Sequence, residues 1–288
     1  MDLTYYPYPS RRPVVLGRRG AVATSQPLAA LAGMEMLLKG GNAVDAAIAM
    51  AATLTVVEPT SNGIGGDLFA MVWDGTLHGL NASGKSPLSL TPERIPEGGM
   101  PERGWLPVTV PGAVSGWRAL HERFGRLPFP EVLAPAIRYA EEGFPVGPET
   151  ARAWRRAEGI YLPLKGPEFQ PFQETFFPQG RAPRAGEVWR SPGHAKTLRE
   201  IAETYGESFY RGNLAEAMAG FSEATGGLLS LEELKTHEAV WVNPLSLEYR
   251  GLTVHELPPN GQGIATLLAL AILEGFELEP EDPFSYHV

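Results

Sequence analysis

The 288-residue sequence contains no cysteine. That absence removes disulfides, thiolate nucleophiles, Fe–S ligation and cysteine-bound zinc together, while leaving the redox compartment open. Positive charge is scarce as well, with 24 Lys+Arg against 33 Asp+Glu and a net charge of −9. Partners held through phosphates need a basic footprint, so neither nucleic acid nor an anionic membrane surface is expected. The one basic cluster, Arg11, Arg12, Arg18 and Arg19, offset by Asp2, reads as a solvated loop. Long apolar runs are missing too. A bilayer-spanning helix needs about 20 apolar residues, and the best candidate, Ala46 to Val57, is shorter, contains Thr53 and Thr55, and ends at Glu58. The start, Met1 to Pro7, has no basic lead, no apolar stretch and no small-residue cleavage site, which predicts no secretory signal and a cytoplasmic address. Six histidines are scattered, and the His-Glu pairs at 121, 237 and 255 lack a second histidine four residues on. No metal site and no cofactor are expected.

What is present suits a globular core: 43% apolar residues and 9% aromatics. Ser25 or Gln26 can cap a helix entered at Pro27 and striped by Leu31, Met34 and Leu38. Gly40-Gly41 stops it, and Asn42 can cap an alanine-rich, buried second helix from Ala43 to about Val56. The glycine-rich stretch from Ser61 to Gly66 leads into two apolar runs, Leu68 to Trp73 and Thr76 to Asn81, separated by Asp74-Gly75, a strong hairpin signal. This order predicts a layered arrangement in which helices cover one face of a largely antiparallel sheet.

Helical patterning returns from Gly112 to about Gly143, punctuated at Gly125, Pro128 and Pro130, then at Ala195 to Tyr205 and Leu214 to Phe221. Residues 160–193 carry six prolines and many aromatics without clear periodicity, as expected of a functional or packing excursion. Leu245, Leu247 and Tyr249, then Arg250-Gly251, then Leu252, Val254 and Leu257 predict a second hairpin, and Ile264 to Leu273 a closing helix before an acidic run.

Most chemical motifs fail on spacing. Gly63-Ile64-Gly65-Gly66 has Leu68 where a dinucleotide fingerprint needs its third glycine, and the pair Gly261 and Gly263 has Thr266 there. Ser115 is not a nucleophile elbow, because the glycine needed two residues earlier is Ala113. Paired carboxylates cannot be picked from 33 acids without geometry. One segment stands out, Asn81-Ala82-Ser83-Gly84-Lys85-Ser86-Pro87, directly after the predicted second strand. Ser83 and Lys85, two apart on extended chain, project to one side. Two readings stay open: a turn with an exposed lysine, or a lysine that holds a substrate carboxylate as a point charge.

Several segments, in order, resemble the large-subunit half of the γ-glutamyltranspeptidase family of N-terminal-nucleophile hydrolases. They include Ala23 to Leu28, Lys39-Gly40-Gly41-Asn42-Ala43-Val44-Asp45-Ala46-Ala47, Glu58 to Gly66 and Val110 to Gly116. Lys196 to Leu198, Phe209-Tyr210-Arg211-Gly212, Tyr249-Arg250-Gly251 and Leu257-Pro258-Pro259 continue the series. The resemblance runs from about residue 20 to near the end, and implies an α+β fold of the four-layer αββα sandwich type. Residues 1–288 are then a single incomplete domain, the front half of the sandwich, with 1–20 as an approach segment.

The resemblance also implies a proenzyme that cuts itself to expose a threonine at the N-terminus of a small subunit. The new α-amine, with a pKa of about 7.7 to 8.0, serves as base to the threonine hydroxyl. The acyl-enzyme then passes its acyl group to water or an amine. The sequence stops before the family's cleavage site, so no residue here is the nucleophile. The expected partner is the small subunit of a chain roughly twice as long, or of a split pair. The family's glutamyl-binding arginine falls at Ser83, which cannot clamp an α-carboxylate in a charged, bidentate way. The segment is similar instead to the cephalosporin or glutaryl acylase relatives. The candidate substrate-binding residues are therefore Asn81, Ser83 and Lys85, for a γ-glutamyl or related acyl-amide substrate. A non-catalytic assembly or binding protein that keeps the fold is the alternative.

Overall fold

The structure, a computed structural model, describes residues 15–277. Arg11, Arg12 and the last acidic residues, Glu279, Glu281 and Asp282, lie outside them. In chain order the elements are α1 (Pro27–Leu38), α2 (Ala43–Val57), β1 (Leu68–Trp73), β2 (Leu77–Ala82), α3 (Ala113–Phe124), α4 (Phe129–Glu142), β3 (Phe144–Pro145), α5 (Pro148–Tyr161) and α6 (Gln170–Phe176). They continue with β4 (Val188–Trp189), α7 (Pro192–Glu203), α8 (Glu207–Arg211), α9 (Asn213–Ala224), α10 (Leu231–Thr236), β5 (Val240–Val242), β6 (Leu245–Tyr249), β7 (Leu252–Glu256) and α11 (Gly263–Leu273). The class is α+β, and the strand pairs among the described residues are antiparallel. Two compact units emerge: one from the chain up to Gly63 plus Leu120–Tyr205, the other from Ile64–Ala119 plus Gly206 onward.

The first unit is built on the α1–α2 helix pair. Gln26, not Ser25, caps α1, its side chain accepting from Ala29 N at 3.2 Å, while Ser25 Oγ donates to Glu58 Oε2 at 2.6 Å. Asn42 and Asp45 form a reciprocal capping box at the start of α2. Asp45, fully buried, does more than cap: its carboxylate also accepts the backbone N–H of Arg126 at 3.0 Å and faces that of Leu127 at 3.4 Å. A buried donor left without a partner costs about 1–3 kcal/mol, so one carboxylate ties the α3–α4 turn to the α2 cap. Gly41 is needed there because a Cβ would lie 2.9 Å from Met36 O and 3.0 Å from Asp45 Oδ2.

Residues 160–193 hold α6 and β4, two elements that leave no clear repeat in the sequence; α5 and β3 just before them were not anticipated either. Phe172, Phe176, Trp154 and Trp189 pack ring against ring at centroid distances of 4.6 to 6.1 Å. The prolines and aromatics thus build a packed cluster, in which the fixed geometry of proline replaces periodic hydrogen bonding.

The second unit contains the three-stranded sheet β1-β2-β5 and the hairpin β6-β7 with α11. The predicted Asp74-Gly75 turn is present, with Gly75 at φ +110° and Asp74 Oδ1 accepting Thr76 N at 3.1 Å. The second strand runs one residue later than the pattern suggested, because Thr76 belongs to that turn. Arg250 and Gly251, at φ +50° and +79°, make the two-residue left-handed turn that matches strand twist.

Candidate functional site

Sheet β1-β2-β5 has two unlike faces. Leu68, Leu80 and Ala82 turn toward α3, where Gly116 allows close approach: a Cβ there would sit 2.8 Å from Leu68 Cδ2 and 2.9 Å from Ala82 Cβ. Strand alternation sends Phe69, Met71 and Trp73 to the opposite face, along with Asn81 and Val240, which pair with each other, while Asn81 also pairs with Phe69. That face is open, with Phe69 44% and Trp73 71% exposed. A cavity of about 400 Å³ lies on it, lined by Phe69, Met71, Glu256, Leu257, Gly261 and Gln262.

The polar exception on this apolar face is Asn81. Its Nδ2 donates to Asn260 Oδ1 at 2.8 Å, and its Oδ1 accepts the backbone N–H of Ser83 at 2.9 Å and the Ser83 hydroxyl at 2.7 Å. Asn260 Nδ2 returns a hydrogen bond to Ser83 Oγ at 3.0 Å. The structure therefore brings two of the sequence-derived residues, Asn81 and Ser83, into one amide–hydroxyl cluster. It adds Asn260, whose signal was only the Pro258-Pro259-Asn260-Gly261 turn. Lys85 does not join the cluster. It is exposed, its carbonyl accepts Val110 N at 3.0 Å, and its ammonium forms no ion pair among the described residues. Asp67, which the sequence did not single out, accepts Gly84 N at 3.2 Å and adds a carboxylate beside Ser83.

Buried Tyr210 and Ser115, with half-buried His237, lie behind this segment. Tyr210 Oη donates to Pro111 O at 2.8 Å and accepts the backbone N–H of Ser115 at 2.9 Å. Ser115 Oγ donates to Gly112 O at 2.7 Å and lies 3.0 Å from His237 Nε2. Because the serine has one proton and it points at Gly112 O, His237 donates from Nε2. Its ring stacks on Tyr210, centroids 5.3 Å apart. Burial pushes the Tyr210 phenol up to about 12, so it stays a donor. Burial, opposed by the Asp67 carboxylate and joined by the Lys85 and Arg211 charges, holds His237 below its ordinary value. Ser115 and His237, set aside as nucleophile elbow and metal ligand, thus meet in a different arrangement.

Among the described residues, no group of three His, Asp or Glu side chains could hold a metal ion, and no helix is long and apolar enough to cross a membrane. An α+β chain with an antiparallel sheet, helices on one face and a polar cluster on the open face defines the class. It is that of the N-terminal-nucleophile hydrolases, to whose γ-glutamyltranspeptidase and acylase structures it is similar. The chain belongs to the Gamma-glutamyltranspeptidase family, whose model matches residues 29–288. It is 55% identical to the cephalosporin acylase of Bacillus halodurans, at a TM-score of 0.92, covering 97% of this chain and 53% of that one. Against the γ-glutamyltranspeptidase of Helicobacter pylori it is 28% identical, at a TM-score of 0.85, covering 93% of this chain and 78% of that one. The Glutathione hydrolase-like YwrD proenzyme of Bacillus subtilis (strain 168) is 36% identical over 282 residues, 95% of this chain and 53% of the relative. The chain spans about half the length of the curated relatives it matches.

Proposed function

We propose that this chain is the large-subunit portion of a γ-glutamyltranspeptidase-like acyltransferase or amidohydrolase. Its nucleophile is a threonine freed by self-cleavage and carried by a partner polypeptide. In the reaction, the threonine Oγ attacks the acyl carbonyl of an amide while its own α-amine takes the hydroxyl proton. The C–N bond breaks, the amine leaves with that proton, and an ester links acyl group to threonine. Water or a second amine then attacks the ester and restores the hydroxyl.

In this reading Asn81, Ser83 and Asn260 receive the end of the acyl donor remote from the reacting carbonyl. The observation that carries it is the neutral amide–hydroxyl cluster set in an uncovered apolar face, an arrangement suited to a substrate end enclosed when a second sheet covers that face. The cluster offers donors and acceptors but no fixed cation. Lys85, exposed, supplies positive charge near it only as a point charge and not as a bidentate clamp on an α-carboxylate, so the reading leans to a glutaryl-type end over a γ-glutamyl α-amino acid. The large-subunit similarity to a cephalosporin acylase supports the same preference.

Ser83, at the position where the family resemblance places an arginine, also favours a second reading: a non-catalytic binding protein that retains the fold. The complete protein decides between them. Two bands on a denaturing gel with hydrolysis of glutaryl or γ-glutamyl anilides are expected; one uncut band, inert on both, overturns the catalytic reading.

A further inference from the structure

The backbone of the donor segment is pressed against a second backbone segment, Val110 to Gly112. A Cβ at Gly84 would fall 1.6 Å from Val110 O, and one at Gly112 would fall 1.9 Å from Ala82 O. Main chain meets main chain at both points, so no rotamer change can absorb a displacement. Whatever fixes Val110 to Gly112 therefore fixes Ala82 to Lys85.

On its other side that segment is held by two side-chain relays that end on consecutive carbonyls. One runs from the Ser115 N–H to Tyr210 Oη and on to Pro111 O. The other runs from His237 Nε2 to Ser115 Oγ and on to Gly112 O. Gly112 N and Ala113 N complete the anchorage on Gly66 O at 3.0 and 2.9 Å. Tyr210 is 3% exposed and Ser115 9%, so water is kept from the Tyr210–Ser115–Pro111 relay, while His237 is half-buried.

We propose that Tyr210, Ser115 and His237 are positioning residues that set the placement of the acyl-donor segment Ala82–Lys85 from behind. The proposal rests on the reading that this segment receives the donor. None of the three lines the cavity on the open face; they act through the Val110–Gly112 backbone. Binding geometry is sensitive to small displacements, so loss of a relay appears in donor recognition before it appears in folding.

The test uses Tyr210→Phe, which keeps the ring and its stack on His237, and Ser115→Ala, with Ser115→Thr as the variant that retains a hydroxyl. Hydrogen–deuterium exchange on the complete protein requires no activity. Faster exchange confined to peptides covering 82–85 and 110–113 is expected in Tyr210→Phe and Ser115→Ala, with recovery in Ser115→Thr. In the complete protein, KM for a glutaryl or γ-glutamyl anilide should rise about tenfold while self-cleavage is unchanged and kcat falls less than KM rises. Unchanged exchange at 82–85, or a uniform rise across Ile64–Ala119 and Gly206 onward, overturns the proposal. An inert wild-type protein would remove the catalytic reading instead, and the exchange result would still decide the positioning role.

Discussion

In the proposed reading, the Ser83 side chain sets which acyl donors the site can hold. A hydroxyl bonded to Asn81 Oδ1 at 2.7 Å and reached by Asn260 Nδ2 at 3.0 Å is already half satisfied within the protein. It has little left to offer a carboxylate, whereas an arginine would present a charged, bidentate fork. In the complete protein, Ser83→Arg is therefore expected to raise kcat/KM for γ-glutamyl anilides by about tenfold or more relative to glutaryl anilides, since a charge-assisted pair contributes about 1.5–3 kcal/mol. The Asp67 carboxylate beside Gly84 would help to orient the introduced guanidinium. Parallel kinetics on the two anilides check this, and an unaltered ratio would mean that selectivity is set elsewhere. The side chains of this cluster were only partly legible in the sequence. Asn81, Ser83 and Lys85 lie within one short segment and could be picked by spacing and resemblance. Asn260 joins from 179 residues away along the chain, and long-range pairing leaves no local pattern.

At the scale of elements, legibility followed hydrogen-bonding periodicity. The α1–α2 pair, the two hairpins and α11 carry caps, glycine stops or left-handed turn residues that act locally, and all were readable. The elements α5, α6, β3 and β4 were not, because they are held by aromatic packing around Trp154, Phe176 and Trp189 rather than by a repeating apolar stripe. His194 belongs to that cluster: its Nδ1 lies 2.6 Å from Ser191 Oγ at the start of α7 and its ring meets Phe176 at 5.7 Å. Burial holds its pKa below the ordinary histidine value. The folded state then binds fewer protons than the unfolded chain between the two values, so this histidine's contribution is full above about pH 6.5 and declines as pH falls toward the lowered folded value. The slope it adds is at most ~1.4 kcal/mol per pH unit. Chemical denaturation at pH 7.5 and 5.5 should show a smaller acid loss in His194→Gln than in the wild type; equal losses would show that this histidine charges freely in the fold.

For the whole molecule, the open face of the second unit is the feature that shapes behaviour in solution. Phe69, Met71, Trp73 and Val240 stand exposed on one sheet face, and Leu268 and Ile272 are exposed on α11. Covering one such side chain fully is worth about 1.5–3 kcal/mol, and an exposed apolar patch of this kind suits the proposed partner polypeptide. The net charge of −9 opposes self-association through long-range repulsion but leaves the patch wetted, and salt weakens that protection. The 288-residue chain expressed by itself is therefore expected to enhance ANS fluorescence and to aggregate more readily as ionic strength rises. Trp73→Ser should lower the dye signal without lowering the melting temperature, because Trp73 has few folded neighbours to lose. Co-expression with the proposed threonine-bearing partner should abolish the dye response altogether. A monodisperse chain that ignores the dye and melts cooperatively at all salt concentrations would show that the apolar face is self-sufficient, and the need for a covering sheet would fall with it.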